Sequence, residues 1–352
     1  MGIDVRQFSS DKILKHLDRV NAWLRGENPI PITVELDITN VCNHRCPECS
    51  GSYSQDRNGD SLPFDLSKEI IGQLAKAQVR GLIFTGGGEP LCYSHAIEVV
   101  KLAHRLGLDI GFITNGSLIT ERIAKVLLDC CTWLRISLDA ASADTFKKVH
   151  GMDGGAFNKV CDNISLLVNL KKEFKSQATI GVGYLTCDYT KDEMYKAAKL
   201  CKKLGVDYFQ FRPMQMHNNG MFEYHSTDIT KNIIRCIKED EGGFQVLYSK
   251  HKYDMMRQKD YGRNYKKCYG HQFATVIGAD AKVYVCCHMR GHEKYCLGDL
   301  KENTFEEIWN SQKRREVVES IDFRDCMPLC RDNTFNQILW NIKQPREHVN
   351  FL

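Results

Sequence analysis

The 352-residue sequence predicts an α/β fold: a partial (β/α)6 TIM-like barrel of parallel strands, followed by a small C-terminal β-hairpin plus helix. Two observations support this prediction. Short apolar runs alternate with stretches of helical period, which is typical of parallel strands joined by crossover helices. The alternation stops after residue 213, so we expect six strands rather than the eight of a complete barrel.

The elements follow from apolar periodicity and turn residues, beginning with a helix over 10–25 that carries an apolar stripe. The predicted strands are 32–38, 81–85, 109–113, 133–138, 178–186 and 207–212. The predicted helices are ~66–78, ~94–106, ~120–130, ~156–173, ~191–203, ~229–239 and ~304–320. Strands such as 81–84 and 133–136 are short and mostly apolar, so we expect both sheet faces to be covered.

The same pattern divides the chain into five parts. They are an N-terminal helix (1–30), the barrel (31–215), a linker helix with a connecting segment (216–262), a cysteine-containing domain (263–335) and a C-terminal tail (336–352). Two alternating strands around a turn, between Phe273 and Cys286, predict the hairpin of the fourth part.

Composition and charge exclude several classes of protein. Lys and Arg total 48 against 44 Asp and Glu, and a net charge of +4 is too small to indicate nucleic acid or a membrane surface as a partner. No apolar run approaches the ~20 residues of a transmembrane helix, and residues 1–6 do not resemble a signal peptide. We therefore expect a cytoplasmic protein whose 16 cysteines are reduced or bind metal clusters.

Three cysteines, Cys42, Cys46 and Cys49, follow the first predicted strand within eight residues. Thiolates are the usual ligands of iron–sulfur clusters, and a cubane cluster has four irons to ligate, so three thiolates leave one iron for a non-protein ligand. Zinc is the alternative, but His44 lies too close in sequence to both neighbouring cysteines to complete a tetrahedral site comfortably. The loop therefore predicts an iron–sulfur cluster with one exchangeable position.

The Cys-x3-Cys-x2-Cys spacing after a first strand resembles the signature of the radical S-adenosylmethionine (radical SAM) superfamily. The resemblance implies a [4Fe–4S] cluster that binds S-adenosylmethionine and cleaves it reductively to a 5'-deoxyadenosyl radical. It also implies a flavodoxin- or ferredoxin-like electron donor. In such enzymes the cofactor carries the chemistry and the protein supplies binding and orientation. Glu48 stands before the third cysteine, where the family usually has an aromatic residue.

A glycine-rich loop follows the second predicted strand, where glycines allow the backbone to approach a ligand closely. It resembles the Gly-Gly-Glu-Pro motif of the same family, which binds the amino group of S-adenosylmethionine. The matching residues are Gly87, Gly88, Glu89 and Pro90. The alternative is an ordinary turn. It is the minority interpretation, because the cysteine loop follows the strand immediately before this one.

Polar residues follow other strands. By resemblance, Asn115, Ser137 and Asp139 contact the ribose hydroxyls or the methionine carboxylate; helix capping is the alternative. His150 occupies a place where the family often has Arg, and could hold the carboxylate or be a surface or capping residue. Arg212, at the end of the sixth strand, could bind an anionic substrate or cofactor group, or form a structural ion pair.

Cys187 lies near the end of the fifth strand, whose glycines would let adenine lie against the backbone. Radical epimerases of the superfamily finish by giving a hydrogen atom from a cysteine to a substrate radical, a role that Cys187 could fill. The alternative, a small buried hydrophobe, is favoured because most free cysteines are of that kind.

The C-terminal cysteines resemble the SPASM or twitch extension of the family, in which a hairpin and a helix separate the cysteines. The resemblance implies a second, auxiliary [4Fe–4S] cluster. Its expected ligands are Cys268, Cys286, Cys326 and Cys330. Cys287 and Cys296 are further candidates, and zinc held by four cysteines is the alternative.

The resemblance implies a radical SAM enzyme that abstracts hydrogen from a small polar, sugar-like or nucleotide-linked substrate, leading to oxidation, epimerisation or decarboxylation. One alternative is a maturase acting on a ribosomally synthesised peptide or a protein side chain. The ~30 residues before the first strand and the single auxiliary cluster favour the small substrate. A non-catalytic electron carrier is the third possibility, and it leaves the Gly-Gly-Glu-Pro loop unexplained.

Overall fold

The computed structural model describes residues 9–49, 59–218, 221–224, 229–344 and 347–351. The strands are β1 (Thr33–Asp37), β2 (Gly81–Thr85), β3 (Asp109–Thr114), β4 (Trp133–Ser137), β5 (Thr179–Thr186), β6 (Tyr208–Pro213), β7 (Gln215–Asn218), β8 (Met221–Tyr224), β9 (Gln245–Tyr248), β10 (Ala274–Ile277), β11 (Lys282–Tyr284) and β12 (Cys296–Asp299). The first six lie within one residue of the predicted bounds at either end.

The helices are α1 (Leu17–Leu24), α2 (Phe64–Lys76), α3 (Ala96–Arg105), α4 (Glu121–Cys130), α5 (Ala143–His150), α6 (Gly154–Phe174), α7 (Met194–Leu204), α8 (Thr230–Ile237), α9 (Lys250–Gln258), α10 (Phe305–Asn310), α11 (Gln312–Glu319) and α12 (Asn333–Lys343). Helices α2, α3, α4, α6 and α7 are the crossovers expected between parallel strands. Within the described ranges, none of the helices has the length and apolar character needed to cross a membrane.

Strands β1 to β6 pair in chain order, and every pairing among them is parallel. This confirms the predicted parallel α/β sheet. Every second side chain of these strands is buried and stabilises the sheet: Leu36, Phe84 and Phe112 are fully buried against the helices. The intervening positions, among them Glu35 and Arg135, lie on the opposite, interior face of the curved sheet.

The sheet is longer than predicted, with ten strands in the order β12-β11-β10-β1-β2-β3-β4-β5-β6-β9. Strand β10 pairs in parallel with β1, although Thr33 and its partner Ala274 are about 240 residues apart. Strand β9 pairs in parallel with β6 at the other end. The predicted hairpin exists as the antiparallel pair β10–β11, and it continues the barrel sheet. The boundaries between the five predicted parts stay predictions.

One expectation about the C-terminal region is wrong. The single helix over ~304–320 is two helices, because Ser311 between them is extended and its side chain accepts a hydrogen bond from Arg314 N as the cap of α11. The stretch from 336 onward, predicted as a C-terminal tail, contains most of α12. Leu339 of that helix packs with Trp23 and Phe273, which ties the chain's two terminal regions together.

Candidate active site

The cysteine loop after β1 lies directly against the glycine loop after β2. Gly88 N donates to Thr39 O at 3.1 Å, and Glu89 N donates to Val41 O at 2.9 Å. A Cβ atom on Gly88 would overlap the Val41 carbonyl group. The two predicted motifs therefore form one surface at the C-terminal edge of the sheet, where parallel-strand enzymes place their sites.

Replacing Gly88 with alanine tests this close approach. The added methyl group must displace the backbone of the cysteine loop, so we expect stability to fall by about 1–3 kcal/mol, as overpacking does, and S-adenosylmethionine binding to weaken. Thermal unfolding and equilibrium binding measure the two effects. The matched control is Gly72→Ala in α2, where a Cβ meets nothing within 4 Å. Equal stability and equal S-adenosylmethionine affinity in the two variants would show that the close contact between Gly88 and the cysteine loop is not needed.

Asn40 is a residue of this surface that the sequence did not single out. It is 4% exposed, and neither its Oδ1 nor its Nδ2 atom has a hydrogen-bond partner among the described residues. A Cβ on Gly87 would overlap the Asn40 amide. Buried amides are normally paired, so this side chain beside a glycine cradle fits a site that takes a polar ligand.

The three thiols of the cysteine loop act on one another electrostatically. Partial desolvation, followed by weaker contributions from neighbours that include Cys49, raises the pKa of Cys42 to about 11. Desolvation also raises the pKa of Cys46, with the charges of Cys49 and Cys42 adding to it. Such thiols stay protonated alone and lose their protons when a metal binds. The donor set fits three corners of the predicted cluster.

Two buried histidines contact each other at this loop: His44, which belongs to the loop, and His150, at the end of α5. His150 Nδ1 is 3.5 Å from Cys46 Sγ and 3.4 Å from His44 Nδ1, and its Nε2 is 3.1 Å from Leu138 O. Burial lowers the pKa of each imidazole to about 4, so both are neutral at pH 7. The ligand atoms of His44, Cys46 and His150 lie within 4.8 Å of one another, which also suits a metal ion such as zinc.

His150 was a candidate for holding a cofactor carboxylate, with a surface or capping position as the alternative. The residue is 3% exposed, so it is not a surface residue, and its ring contacts Cys46 of the cysteine loop. Arg45 N also donates to His150 O at 3.0 Å. As placed, His150 positions the loop.

Glu89 is a buried carboxylate with three donors around it. Oε1 accepts from Thr114 Oγ1 at 2.7 Å and from Leu91 N at 3.1 Å, and Oε2 accepts from Asn115 N at 2.7 Å. Burial raises its pKa, against the effect of these hydrogen bonds. A carboxylate accepts about four hydrogen bonds, so one acceptor position is left for a ligand. Pro90 is also buried and begins the short turn that follows.

Asn115 connects the end of β3 to the cysteine loop. Its Nδ2 donates to Asn43 Oδ1 at 2.9 Å, and its Oδ1 accepts from Ser117 Oγ at 2.7 Å. Asn43 Nδ2 donates in turn to Ser117 Oγ at 2.8 Å. Because these groups satisfy one another, Asn115 acts here as a positioning residue for the loop.

Two side chains with oxygen atoms, Ser137 and Asp139, lie at the end of β4, and they differ in whether protein groups already hydrogen-bond to them. Ser137 is half-buried, lies opposite Gly183 and forms no side-chain hydrogen bond within the described parts of the chain. Asp139 has a positive φ of 53° and accepts from Leu185 N at 2.7 Å. Burial raises the pKa of Asp139 to about 6. Ser137 is therefore the more available group for a ligand.

Cys187 lies in a small buried cluster just after the end of β5. The residue is fully buried, packs with Val149 and Met214, and places its sulfur 3.4 Å from Thr190 Oγ1. A hydrogen donor must reach a substrate radical, and the fully buried thiol of Cys187 offers no exposed surface for that contact. The geometry fits the interpretation of Cys187 as a small buried hydrophobe.

The C-terminal cysteines form a second thiol group. The pKa of Cys286 is raised by burial and then by neighbours that include Cys287, Cys330 and Cys268. Burial likewise raises the pKa of Cys326 to about 11, with Cys268 among its neighbours. The four expected ligands, Cys268, Cys286, Cys326 and Cys330, thus share one neighbourhood.

The two further cysteine candidates differ in position. Cys296 packs in a small apolar cluster with Val276 and Tyr284, and its thiol donates to Gly298 O at 3.7 Å, so it lies apart from the second thiol group. Cys287 adjoins that group, and Arg331 is the strongest charge acting on it.

The structure contains an ion-pair network between the two thiol groups that was not predicted from the sequence. Arg290 donates to Asp37 Oδ1 at 3.2 Å and lies 3.7 Å from Glu35 Oε2, while Arg331 pairs with Glu35. These pairs link the interior face of β1 to the cysteine-containing C-terminal region. The signal was present, since Glu35 and Asp37 alternate with apolar residues in an otherwise buried strand.

Two arginines lie on the same interior face. Arg135 of β4 donates to Gln210 Oε1 at 3.5 Å. Burial, and next the charge of Arg212, lowers the pKa of Arg135 to about 10. Arg212 is half-buried on β6 and has no ion pair among the described residues. The structural ion pair considered for Arg212 is therefore not seen in the described chain.

Together, the two thiol groups and the loops at the strand ends define an iron–sulfur protein with a site for an exchangeable ligand. Comparison with known families gives two matches: the radical SAM superfamily over residues 36–201, and the SPASM iron–sulfur cluster-binding domain over 268–333. The chain belongs to the radical SAM superfamily and carries a SPASM domain. It is an enzyme. Its cofactors are S-adenosylmethionine, the [4Fe–4S] cluster of the radical SAM domain and the auxiliary iron–sulfur cluster bound by the SPASM domain.

Individual relatives agree with this assignment. The chain is 24% identical over 320 residues to an AdoMet-dependent heme synthase of Methanosarcina barkeri, covering 85% of this chain and 88% of the relative. It is 25% identical over 301 residues to a tungsten-containing aldehyde ferredoxin oxidoreductase cofactor-modifying protein of Pyrococcus furiosus, covering 79% and 80%.

Solved structures share the fold. SuiB of Streptococcus suis bound to S-adenosylmethionine superposes with a TM-score of 0.67 at 13% identity, covering 88% of this chain and 73% of that one. The enzyme anSMEcpe with bound AdoMet gives 0.61 at 19% identity, covering 82% and 83%. The two family matches confirm the predicted family and cofactors. The assignment of individual ligand residues stays a prediction.

Proposed function

We propose that this enzyme abstracts a hydrogen atom from a small polar substrate held inside the barrel, leading to oxidation, epimerisation or decarboxylation. The observation that carries the proposal is the charged interior face between the two thiol groups. Arg135 lies two residues before Ser137 on the same face of β4, so a substrate near the cofactor loops would meet hydrogen-bonding groups.

The chain's own residues bind and orient in this scheme. Cys42, Cys46 and Cys49 would hold the first cluster, and the open hydroxyl of Ser137 together with the remaining acceptor of Glu89 would bind S-adenosylmethionine. When bound, the cofactor supplies the hydrogen-abstracting radical. A flavodoxin- or ferredoxin-like protein is the proposed electron donor.

The relatives support a small substrate over a peptide. The two sequence relatives span about four fifths of this chain and are named for heme synthesis and for cofactor modification. Other relatives, at 27% identity over 192 residues, are named as probable GTP cyclases. SuiB was solved with a precursor peptide, but at 13% identity it shares only the fold. A sugar-like or nucleotide-linked substrate belongs within the proposed class.

The test is anaerobic incubation of the reconstituted enzyme with S-adenosylmethionine, a reductant and candidate substrates. GTP and a phosphosugar represent the proposed class, and an iron porphyrin is included because one relative is named a heme synthase. We expect one of these classes to raise 5'-deoxyadenosine formation at least about 10-fold above the substrate-free rate, because substrate binding aligns the abstracted hydrogen with the cofactor.

The matched control is the same reaction with substrate and without reductant, which should give no 5'-deoxyadenosine. Deuterated substrate should transfer deuterium into 5'-deoxyadenosine, which identifies the abstracted position. Stimulation by a precursor peptide and by none of the small molecules would contradict the proposal and favour the maturase.

A further inference from the structure

The interior between the two thiol groups contains more positive than negative side chains. The cations of the described chain that act on one another there are Arg135, Arg212, Lys252, Arg290 and Arg331. The carboxylates of β1 that face them are Glu35 and Asp37. Charges inside a barrel are costly unless they are paired. Cations that lack an acidic partner are therefore candidates for binding an anion.

The two carboxylates of β1 already form ion pairs with arginines. Asp37 pairs with Arg290, and Glu35 pairs with both Arg290 and Arg331. Arg331 has a further partner in Asp332 at 3.3 Å. These contacts neutralise the two cations that come from the C-terminal region.

The remaining three cations have no such partner. Arg135 has only the neutral Gln210 within hydrogen-bond distance, and neither Arg212 nor Lys252 forms a side-chain hydrogen bond or ion pair with any described residue. Two acids act on these cations at longer range: the charges of Arg212 and Arg135 lower the pKa of Asp139 against burial, and the charge of Glu35 raises that of Arg135. Asp139 is the one of the two that is not used by Arg290 and Arg331. It makes no ion pair with either arginine in the described chain, and its Oδ1 accepts from Leu185 N.

Arg135 and Arg212 flank the same strand, β5, on the interior face of the sheet. Arg135 lies opposite Gly181 of β5, and Arg212 lies opposite Leu185 of the same strand. A Cβ on Gly183 would lie 3.6 Å from Arg135 Cδ, and one on Gly181 would overlap the ring of Tyr208. Arg135 of β4 and Tyr208 of β6 thus extend over the two glycines of β5, which have no side chains of their own.

Mutual repulsion is visible in the ionisation of these groups. Burial and then the charge of Arg212 lower the pKa of Lys252 to about 8, as they lower that of Arg135 to about 10. Lys252 is further affected by Cys330 and Cys287 of the second thiol group. Lys252 is thus close enough to act on both Arg212 and the second thiol group, and an anion bound among the three cations would relieve their repulsion.

We propose that Arg135, Arg212 and Lys252 bind an anionic group of the substrate, a carboxylate or a phosphate, and hold it between the two iron–sulfur sites. This inference rests on the proposed function and specifies its substrate class. Paired guanidinium groups suit both anions, because their fork of N–H donors matches the oxygens of either.

The experiment measures anion binding to the reconstituted holoenzyme by titration calorimetry in phosphate-free buffer, without turnover. The probes are inorganic phosphate and tricarballylate, a small tricarboxylate. We expect at least one of them to bind, and Arg135→Gln and Arg212→Gln each to weaken that binding about 10- to 100-fold, the effect of losing a charged hydrogen bond. Binding of phosphate alone or tricarballylate alone identifies which anion the site prefers.

The matched control is Arg122→Gln, an exposed arginine of α4 outside the barrel interior, which should bind both probes as the wild type does. Arg212→Lys keeps the charge and should restore part of the affinity lost in Arg212→Gln. Should Arg135→Gln fail to fold, Arg212→Gln still decides, because Arg212 is half-buried and forms no hydrogen bond through its side chain within the described residues.

Three results would overturn the inference: no binding of either probe to the wild type, unchanged binding in both glutamine variants, or loss of binding when S-adenosylmethionine is saturating. The last would assign the arginines to the cofactor. Because the titration involves no turnover, each of these results leaves the proposed function standing. That function fails separately, if no small molecule stimulates 5'-deoxyadenosine formation.

Discussion

Replacing Cys46 with alanine is expected to abolish 5'-deoxyadenosine formation. Cys46 lies between the other two thiols of the loop in sequence and contacts His150 Nδ1 at 3.5 Å. Without it, Cys42 and Cys49 would be the remaining thiol ligands, too few to leave a stable cluster with one exchangeable iron. The loss should exceed the ~10- to 100-fold that removal of a supporting residue around a metal costs.

Chromatographic quantification of 5'-deoxyadenosine, together with iron content, measures this effect. The matched control is Cys161→Ala, a half-buried thiol of α6 outside both thiol groups, which should keep wild-type activity and iron. Cleavage that persists at the wild-type rate in Cys46→Ala would refute the assignment of the cysteine loop.

Replacing Cys330 with alanine is expected to remove the auxiliary cluster while the first cluster remains. Cys330 is near Cys268 and Cys326, and burial raises its pKa, so the thiolate depends on bound metal. We expect iron to fall by about 4 atoms per chain and product formation to fall at least about 100-fold, whether the cluster accepts an electron or supports the substrate cavity.

The control for this variant is Cys296→Ala, since Cys296 is buried on β12 apart from the second thiol group. Its iron content should equal that of the wild type. Two results would speak against the assignment: full iron in Cys330→Ala, or one equivalent of zinc in the wild type with only about 4 iron atoms, which would favour the zinc alternative.

Much of the fold could be predicted because it is encoded locally. Apolar periodicity located six parallel strands to within one residue, and motif spacing indicated both cysteine groups and the glycine loop. Ser311 could also have been recognised as a helix cap, since Ser is a preferred capping residue and it stands between two helical stretches.

The sequence by itself therefore determined the family, the cofactors and the six parallel strands of the barrel, because each depends on residues close together in the chain. Tertiary structure alone decided that β10 pairs with β1, since that contact joins distant segments. It also decided that Cys187 and His150 are buried, and that Arg135 and Arg212 share the interior. When both faces of a strand are covered, alternation shows which residues share a face, and only packing shows which face is the interior.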